Sequence, residues 1–181
     1  MDTFTRLLHK LDSYPTPLWQ PEQKELKRNE ILHPAGAVHT NIYFVTEGAL
    51  RIFYETGNGF NTIRFGYTNS LFTSLDSFLT GKPSVYTVQA IRKTIMKVMT
   101  KEDFMAFLAS DSENLMLWNS ILSYTIASLL ERETDLLAPT PRERYERVLQ
   151  RSPQLFQEIP HKHIASYLRM APETLSRLQK S

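Results

Sequence analysis

Glu173, Thr174, Arg177 and Lys180 lie close together near the end of a 181-residue chain. On a helix they share one face, and the opposite face carries Leu175 and Leu178. These are the side-chain types that read DNA. An arginine fork pairs with guanine, a carboxylate accepts from cytosine, and threonine touches a thymine methyl or a phosphate. Lys162 and Arg142 stand nearby in sequence as candidate phosphate contacts.

Other chemistry is poorly provided for. The chain has no cysteine, which removes disulfides, thiol catalysis, cysteine-based zinc sites and iron–sulfur clusters. His33 and His39 are six residues apart without the further converging ligands that a metal-binding β-barrel needs, so no metal centre is expected. No Ser/His/Asp order, phosphate loop or carboxylate pair stands out, and no enzymatic activity is expected. No apolar run reaches the roughly 18 residues of a membrane span. The opening "MDTFTRLLHKLDSY" lacks the features of a secretory signal, and a cytoplasmic protein without membrane contact is expected.

The reading face needs a support. "HIASYLRMAPETLSRLQKS" (163–181) supplies one with the packing grammar of a helix-turn-helix. Ala165 is the small residue that lets a second helix approach, Ile164 and Leu168 flank it, and Met170 plugs the corner. Pro172 opens the second helix. Two positions depart from that grammar. Arg169 falls where the turn needs positive φ, a cost of roughly 1 kcal/mol. Ala171 falls at the N-cap, where a missing side-chain acceptor costs roughly another 1 kcal/mol. Charge agrees with an anionic partner for this region: residues 139–181 hold eight Lys/Arg and four Glu, whereas the rest of the chain holds thirteen and fifteen.

Upstream, strand signals dominate from about Glu30 to Met99. "IYFVTEGALRIFY" turns at Glu47-Gly48, "FNTIRFGY" alternates after "ETGNG", and "SVYTVQAI" and "TIMKVM" follow. Short punctuated strands at this spacing predict an antiparallel sandwich or barrel. At Thr100 the period changes to helical. Ser110-Asp111-Ser112-Glu113 reads as a capping box that starts a long helix to about Leu137, and Thr140-Pro141-Arg142-Glu143 reads as a second. On the long helix Leu115, Trp118, Leu122, Thr125 and Leu129 follow 3,4 spacing. That stripe requires cover from the β domain, a second subunit, or both. Three parts are expected: a β-roll sensor over 1–110, a connecting and dimerisation helix over 111–138, and a helix-turn-helix domain over 139–181.

This order resembles the Crp/Fnr family of bacterial transcription regulators, particularly its short Bacteroidetes-type members. The skeleton "ERY…L…P…IP…IASYL…PETLSR" carries the resemblance most specifically, and "LHPAGAVHTNIYFVTEGALRIFY" resembles the family's early strands. The resemblance implies an α+β fold: an antiparallel β-roll of the cyclic-nucleotide-binding jelly-roll kind, a long dimerisation helix, and an all-α helix-turn-helix domain. It implies a homodimer on a palindromic double-stranded operator. Glu173 and Arg177 match the Glu and final Arg of the family's R-E-T-x-x-R reading pattern, and Pro172 replaces its first Arg. The family's β-hairpin wing is expected to be lacking, its contacts missing or supplied by basic residues within 142–151.

In cyclic-nucleotide-binding members a Glu fixes the ribose and an Arg neutralises the phosphate. In "SLFTSLDSFLTGKPSVYTVQA" (70–90), Ser74 stands in place of that Glu, Ser84 falls where the Arg should be, and Lys82 is the nearest cation. Burying a phosphate without its partner costs several kcal/mol. Ordinary cAMP binding is therefore expected to be lost, with a pocket persisting around Phe72, Ser74, Lys82, Ser84, Val85 and Tyr86. That pocket is filled by its own side chains, or takes another small effector, or retains a cyclic nucleotide. The sequence thus reads as a DNA-binding regulator of the Crp/Fnr type. The alternative is a ligand-binding β-roll whose helix pair has lost DNA affinity and serves packing or partner contacts.

Overall fold

A computed structural model of the chain describes residues 2–57 and 59–180. A first helix, α1 (Thr3–Asp12), precedes eight strands: β1 (Lys24–Leu26), β2 (Ile31–His33), β3 (Ile42–Glu47), β4 (Ala49–Thr56), β5 (Gly59–Tyr67), β6 (Ser70–Phe72), β7 (Thr87–Ala90) and β8 (Thr94–Met99). A short helix, α2 (Leu75–Thr80), interrupts them after β6. All pairings are antiparallel, in two four-stranded sheets ordered β1-β8-β3-β6 and β2-β7-β4-β5. Inward residues alternate along the strands, and Tyr43, Val45, Leu50, Val88 and Met96 meet between the sheets.

Gly48 makes the corner where the chain leaves one sheet for the other. Its φ is +99°, and a Cβ there would lie 2.3 Å from the Lys93 carbonyl oxygen and 2.6 Å from the Thr94 Cα. Only glycine fits both demands.

The helical half follows: α3 (Lys101–Ala109), α4 (Ser112–Leu137), α5 (Pro141–Arg151), α6 (Pro153–Glu158), α7 (His161–Tyr167) and α8 (Pro172–Leu178). Thr140 and Glu143 form the capping box read from the sequence. The other box is corrected. Asp111, not Ser110, caps α4, accepting from the Glu113 amide at 2.9 Å. Glu113 turns instead to Lys10 at 2.7 Å and to Arg6, both on α1. That helix was not read from the sequence. Leu7 and Leu11 bury it against Phe104, Phe107 and Leu117, a second core that holds the start of α4 to the β-roll.

The apolar stripe of α4 divides between two faces. Trp118 packs edge-on against Phe104 and Phe78, at centroid distances of 5.0 and 6.0 Å. Leu122 and Thr125 are half-buried beside it, facing the β-roll. Leu115 and Leu129 are exposed, together with Met116, Ile126 and Leu130. The stripe read as one seam is therefore an inner face that covers the body and an outer face open to solvent.

The corner at Gly48 generates a prediction. Gly48→Ala should lower the free energy of unfolding by at least about 2 kcal/mol, because both φ and the Lys93 backbone must yield. Urea denaturation followed by circular dichroism checks this. An unchanged midpoint would mean that the corner can relax.

Candidate nucleic-acid interface and sensor pocket

The helix pair α7–α8 is built as the packing grammar requires. Ile164, Ala165 and Leu175 are fully buried, as is Leu168 in the turn. Met170 and Leu178 are half-buried. The turn is a Schellman motif: the Met170 amide donates to the Ala165 carbonyl at 3.0 Å, and the Arg169 amide donates to the Ser166 carbonyl at 3.2 Å. Arg169 occupies its left-handed position at φ +55°. Ala171 is the N-cap of α8 and offers no side-chain acceptor.

Arg144 on α5 compensates for this unfavourable turn. Its Nε donates to the Leu168 carbonyl at 3.0 Å and its Nη2 to the Arg169 carbonyl at 3.4 Å. Its Nη1 donates to the Ala138 carbonyl at 3.1 Å. One guanidinium thus satisfies orphan carbonyls at the ends of two helices. The sequence reading counted Arg144 only as one of several basic residues.

The candidate reading residues fall together. Glu173, Arg177 and Lys180 are exposed and Thr174 is half-buried on α8. The Arg177 Nε donates to the Glu173 carbonyl at 3.4 Å, which lays the side chain along its own helix. Lys162 is exposed at the start of α7, and Arg142 is exposed on α5 with Glu146 at 3.5 Å. The remaining arginines of α5 are tied to the rest of the helical half, although Arg147 stays exposed. Arg147 and Arg151 pair with buried Asp135 at 3.0 and 2.6 Å, which ties α5 to α4.

The helix pair is docked on the β-roll. Ser166 accepts from the Thr62 amide at 3.0 Å and donates to the Phe60 carbonyl at 2.9 Å. Arg132 of α4 donates to the Thr62 carbonyl at 3.1 Å. Arg92 donates to the Glu158 carbonyl at 2.9 Å and pairs with its carboxylate at 3.2 Å. Arg51 donates to His163 Nδ1 at 3.2 Å, so that ring nitrogen is unprotonated. Burial first, then Arg51, Lys162 and Arg28, push the His163 pKa down to about 4.

In the sensor, the segment around α2 is closed by its own side chains. Ser74 is buried 3.1 Å from His33 Nδ1, and His33 Nε2 lies 2.8 Å from the Tyr43 hydroxyl. His39 stacks on His33 at 3.9 Å, and burial above all holds His33 down at about 3. Ser84 is buried, its Oγ accepting from the Tyr86 amide at 3.1 Å. Lys82 and Val85 point to solvent, and Tyr86 is half-buried against Tyr54.

A cavity of about 480 Å³ lies elsewhere, between β5–β6, the inner face of α4 and the α5–α7 region. Of the six pocket candidates only Phe72 lines it; Ser74, Lys82, Ser84, Val85 and Tyr86 do not. Arg64, Tyr67, Tyr124, Arg151 and Tyr167 do. These residues are scattered along the chain, and only the β5 alternation hinted that Arg64 faces α4.

Residues 23–111 match the family model of the cyclic nucleotide-binding domain. No curated protein sequence matches the chain. Among solved structures, it is similar to FixK2 from Bradyrhizobium japonicum at 17% identity and a TM-score of 0.73, covering 88% of this chain and 82% of that one. It is similar to a CooA mutant from Carboxydothermus hydrogenoformans at 16% identity and a TM-score of 0.76, covering 96% and 82%. A transcriptional regulator assigned to the Crp/Fnr family from Eubacterium rectale matches at 15% identity and a TM-score of 0.71, covering 99% and 87%. The fold is of the Crp/Fnr type. No described helix is long and apolar enough to cross a membrane.

Two predictions come from the docked helix pair. Arg144→Ala should destabilise the C-terminal region by about 1–3 kcal/mol through its lost carbonyl contacts, whereas Arg169→Gly should stabilise it by up to about 1 kcal/mol. Thermal unfolding of both variants checks the pair of opposite signs. The second prediction concerns pH. A histidine held neutral in the fold favours the native state fully above its ordinary value of 6.5, and that contribution is lost as pH falls toward about 4. Urea midpoints should therefore drop between pH 7 and pH 4.5. His163→Gln should flatten part of the slope and leave the part belonging to His33; an unchanged slope would contradict the assignment.

Proposed function

We propose that the protein is a homodimeric, DNA-binding transcription regulator whose sensor domain does not take cAMP. The observation that carries this reading is α8. It is buried through Leu175 against a helix-turn-helix scaffold and presents Glu173, Arg177 and Lys180 outward. Arg177 reads a guanine, Glu173 accepts from a neighbouring cytosine, and Lys180, Lys162 and Arg142 lie on phosphates. The similarity to Crp/Fnr-type structures supports the same role. The cassette supports the statement on cAMP. Its Ser74 and Ser84 are engaged within the protein, and Lys82 is exposed with no second cation beside it in the segment.

The dimer rests on the outer face of α4. Met116 is 68% exposed, Ile126 58% and Leu130 60%, and with Leu115 and Leu129 they form an apolar strip along one helix. Two copies pairing along that strip would set two recognition helices roughly 34 Å apart, one turn of DNA. Trp118 and Thr125 take no part in this seam, because they face the body of the subunit.

Selection from a random DNA pool followed by binding titrations tests DNA reading. Arg177→Ala should weaken the selected site by about 1–3 kcal/mol per half-site and relax one symmetric pair of positions. Lys180→Ala should weaken all sequences alike and reduce the salt slope by about one. If both variants bind the selected site as the wild type does, the helix pair is a packing unit and not a reader. Sedimentation tests the dimer: Ile126→Glu should shift the chain from dimer to monomer at micromolar concentration, and a wild-type chain that sediments as a monomer would refute the seam.

A further inference from the structure

The cavity between the β-roll, α4 and the C-terminal helices has an unusual charge distribution. Arg64 lines it from β5 and Arg151 from α5. Arg132 stands close by, its guanidinium 4.7 Å above the Tyr167 ring. Burial above all, with Arg151 adding to it, pushes the pKa of Arg64 and of Arg132 down. The buried carboxylate in reach, Asp135, is already held by Arg147 and Arg151. Arg132 uses a carbonyl, and its Nε, like that of Arg151, is buried without a partner. Arg64 has no hydrogen bond or ion pair with any described residue; it is surrounded by Tyr67, Tyr124 and Tyr167.

A half-buried guanidinium without an anion is a costly arrangement. It is a natural receptor for one, because its fork matches a carboxylate or phosphate. Phe65, Trp118, Ile121, Leu122 and Leu155 make apolar stretches of the wall, and hydroxyl side chains such as Thr125 and Ser128 share it. The volume of about 480 Å³ suits a small organic molecule.

We propose that this cavity binds a small amphipathic organic anion, its oxyanion group on Arg64 and its apolar body against α4. The ligand touches β5 on one side and residues of α5 to α7 on the other, so it bridges the β-roll and the helix-turn-helix. The inference rests on the regulator reading only for that consequence, not for binding itself.

The test uses the full chain without DNA. Octanoate, phenylacetate and phenyl phosphate are titrated by calorimetry, with octanamide and phenylacetamide as neutral counterparts. At least one anion should bind at one per chain and raise the melting temperature, about tenfold or more tighter than its neutral partner where one exists. Which anions bind distinguishes a carboxylate from a phosphate ester. Arg64→Met should weaken that anion about tenfold or more, and Arg64→Lys should restore part of the affinity. Thr125→Phe, which fills the cavity from α4 and leaves Arg64 in place, should abolish binding; Lys82→Ala should not change it. Binding of none of the three anions, equal binding of the neutral amides, or a folded Arg64→Met or Thr125→Phe chain that binds as the wild type does would overturn the proposal. A failed DNA selection would leave these titrations unaffected, and a failed titration would leave DNA reading unaffected.

Discussion

The open edge of β5 is the constraint from which the arrangement of the helices follows. β5 is the last strand of its sheet, and an edge strand carries backbone groups with no strand to pair with. Here Ser166 takes the Thr62 N–H and gives its own proton to the Phe60 carbonyl, while Arg132 gives to the Thr62 carbonyl. A serine hydroxyl and one guanidinium thus stand in for a neighbouring strand. The same contacts fix where α7 lies on the β-roll and where α4 passes. Arg51 on His163 and Arg92 on Glu158 reinforce that placement from two further strand ends.

Arginine accounts for much of the structure, and for opposite reasons at different places. A count of charges made the C-terminal segment look like one basic surface. The fold separates that count into two groups. Arg144, Arg147 and Arg151 hold helices to each other. Arg142, Lys162, Arg169, Arg177 and Lys180 remain on the outside. The sensor shows the reverse pattern. The segment that would need an arginine for a cyclic phosphate has serines tied into a neutral histidine–tyrosine network. Arg64, a guanidinium without an anion, stands instead on β5.

What could be read beforehand was local. Ala165 with its flanking apolar residues, the positive φ at Arg169, the Thr140 capping box and the antiparallel strands all depend on neighbours within a few positions. What could not be read depends on distant partners. The Ser110 box failed because Asp111 takes the cap, which puts Glu113 at the second helical position, where Lys10, about a hundred residues earlier, pairs with it. Trp118 and Leu115 share 3,4 spacing, yet α4 is apolar on two sides, and periodicity alone cannot say which side the body covers. The α1 helix carries a modest signal, Asp2 capping ahead of Leu7 and Leu11, that gains meaning only once α4 is beside it. The cavity has no sequence signature, since its walls come from β5, α4 and α5 to α7.

The grip of Arg144 on the turn has a consequence for how such a protein can diverge. The turn that aims α8 is braced from another helix through backbone carbonyls, and α8 itself is anchored on its inner side by Leu175. The outward positions 173, 177 and 180 therefore carry little of the folding burden. Descendants could exchange them freely and acquire new preferences for what they touch while the scaffold is inherited unaltered. The residue that permits this drift, Arg144, is the one whose exchange would loosen the scaffold.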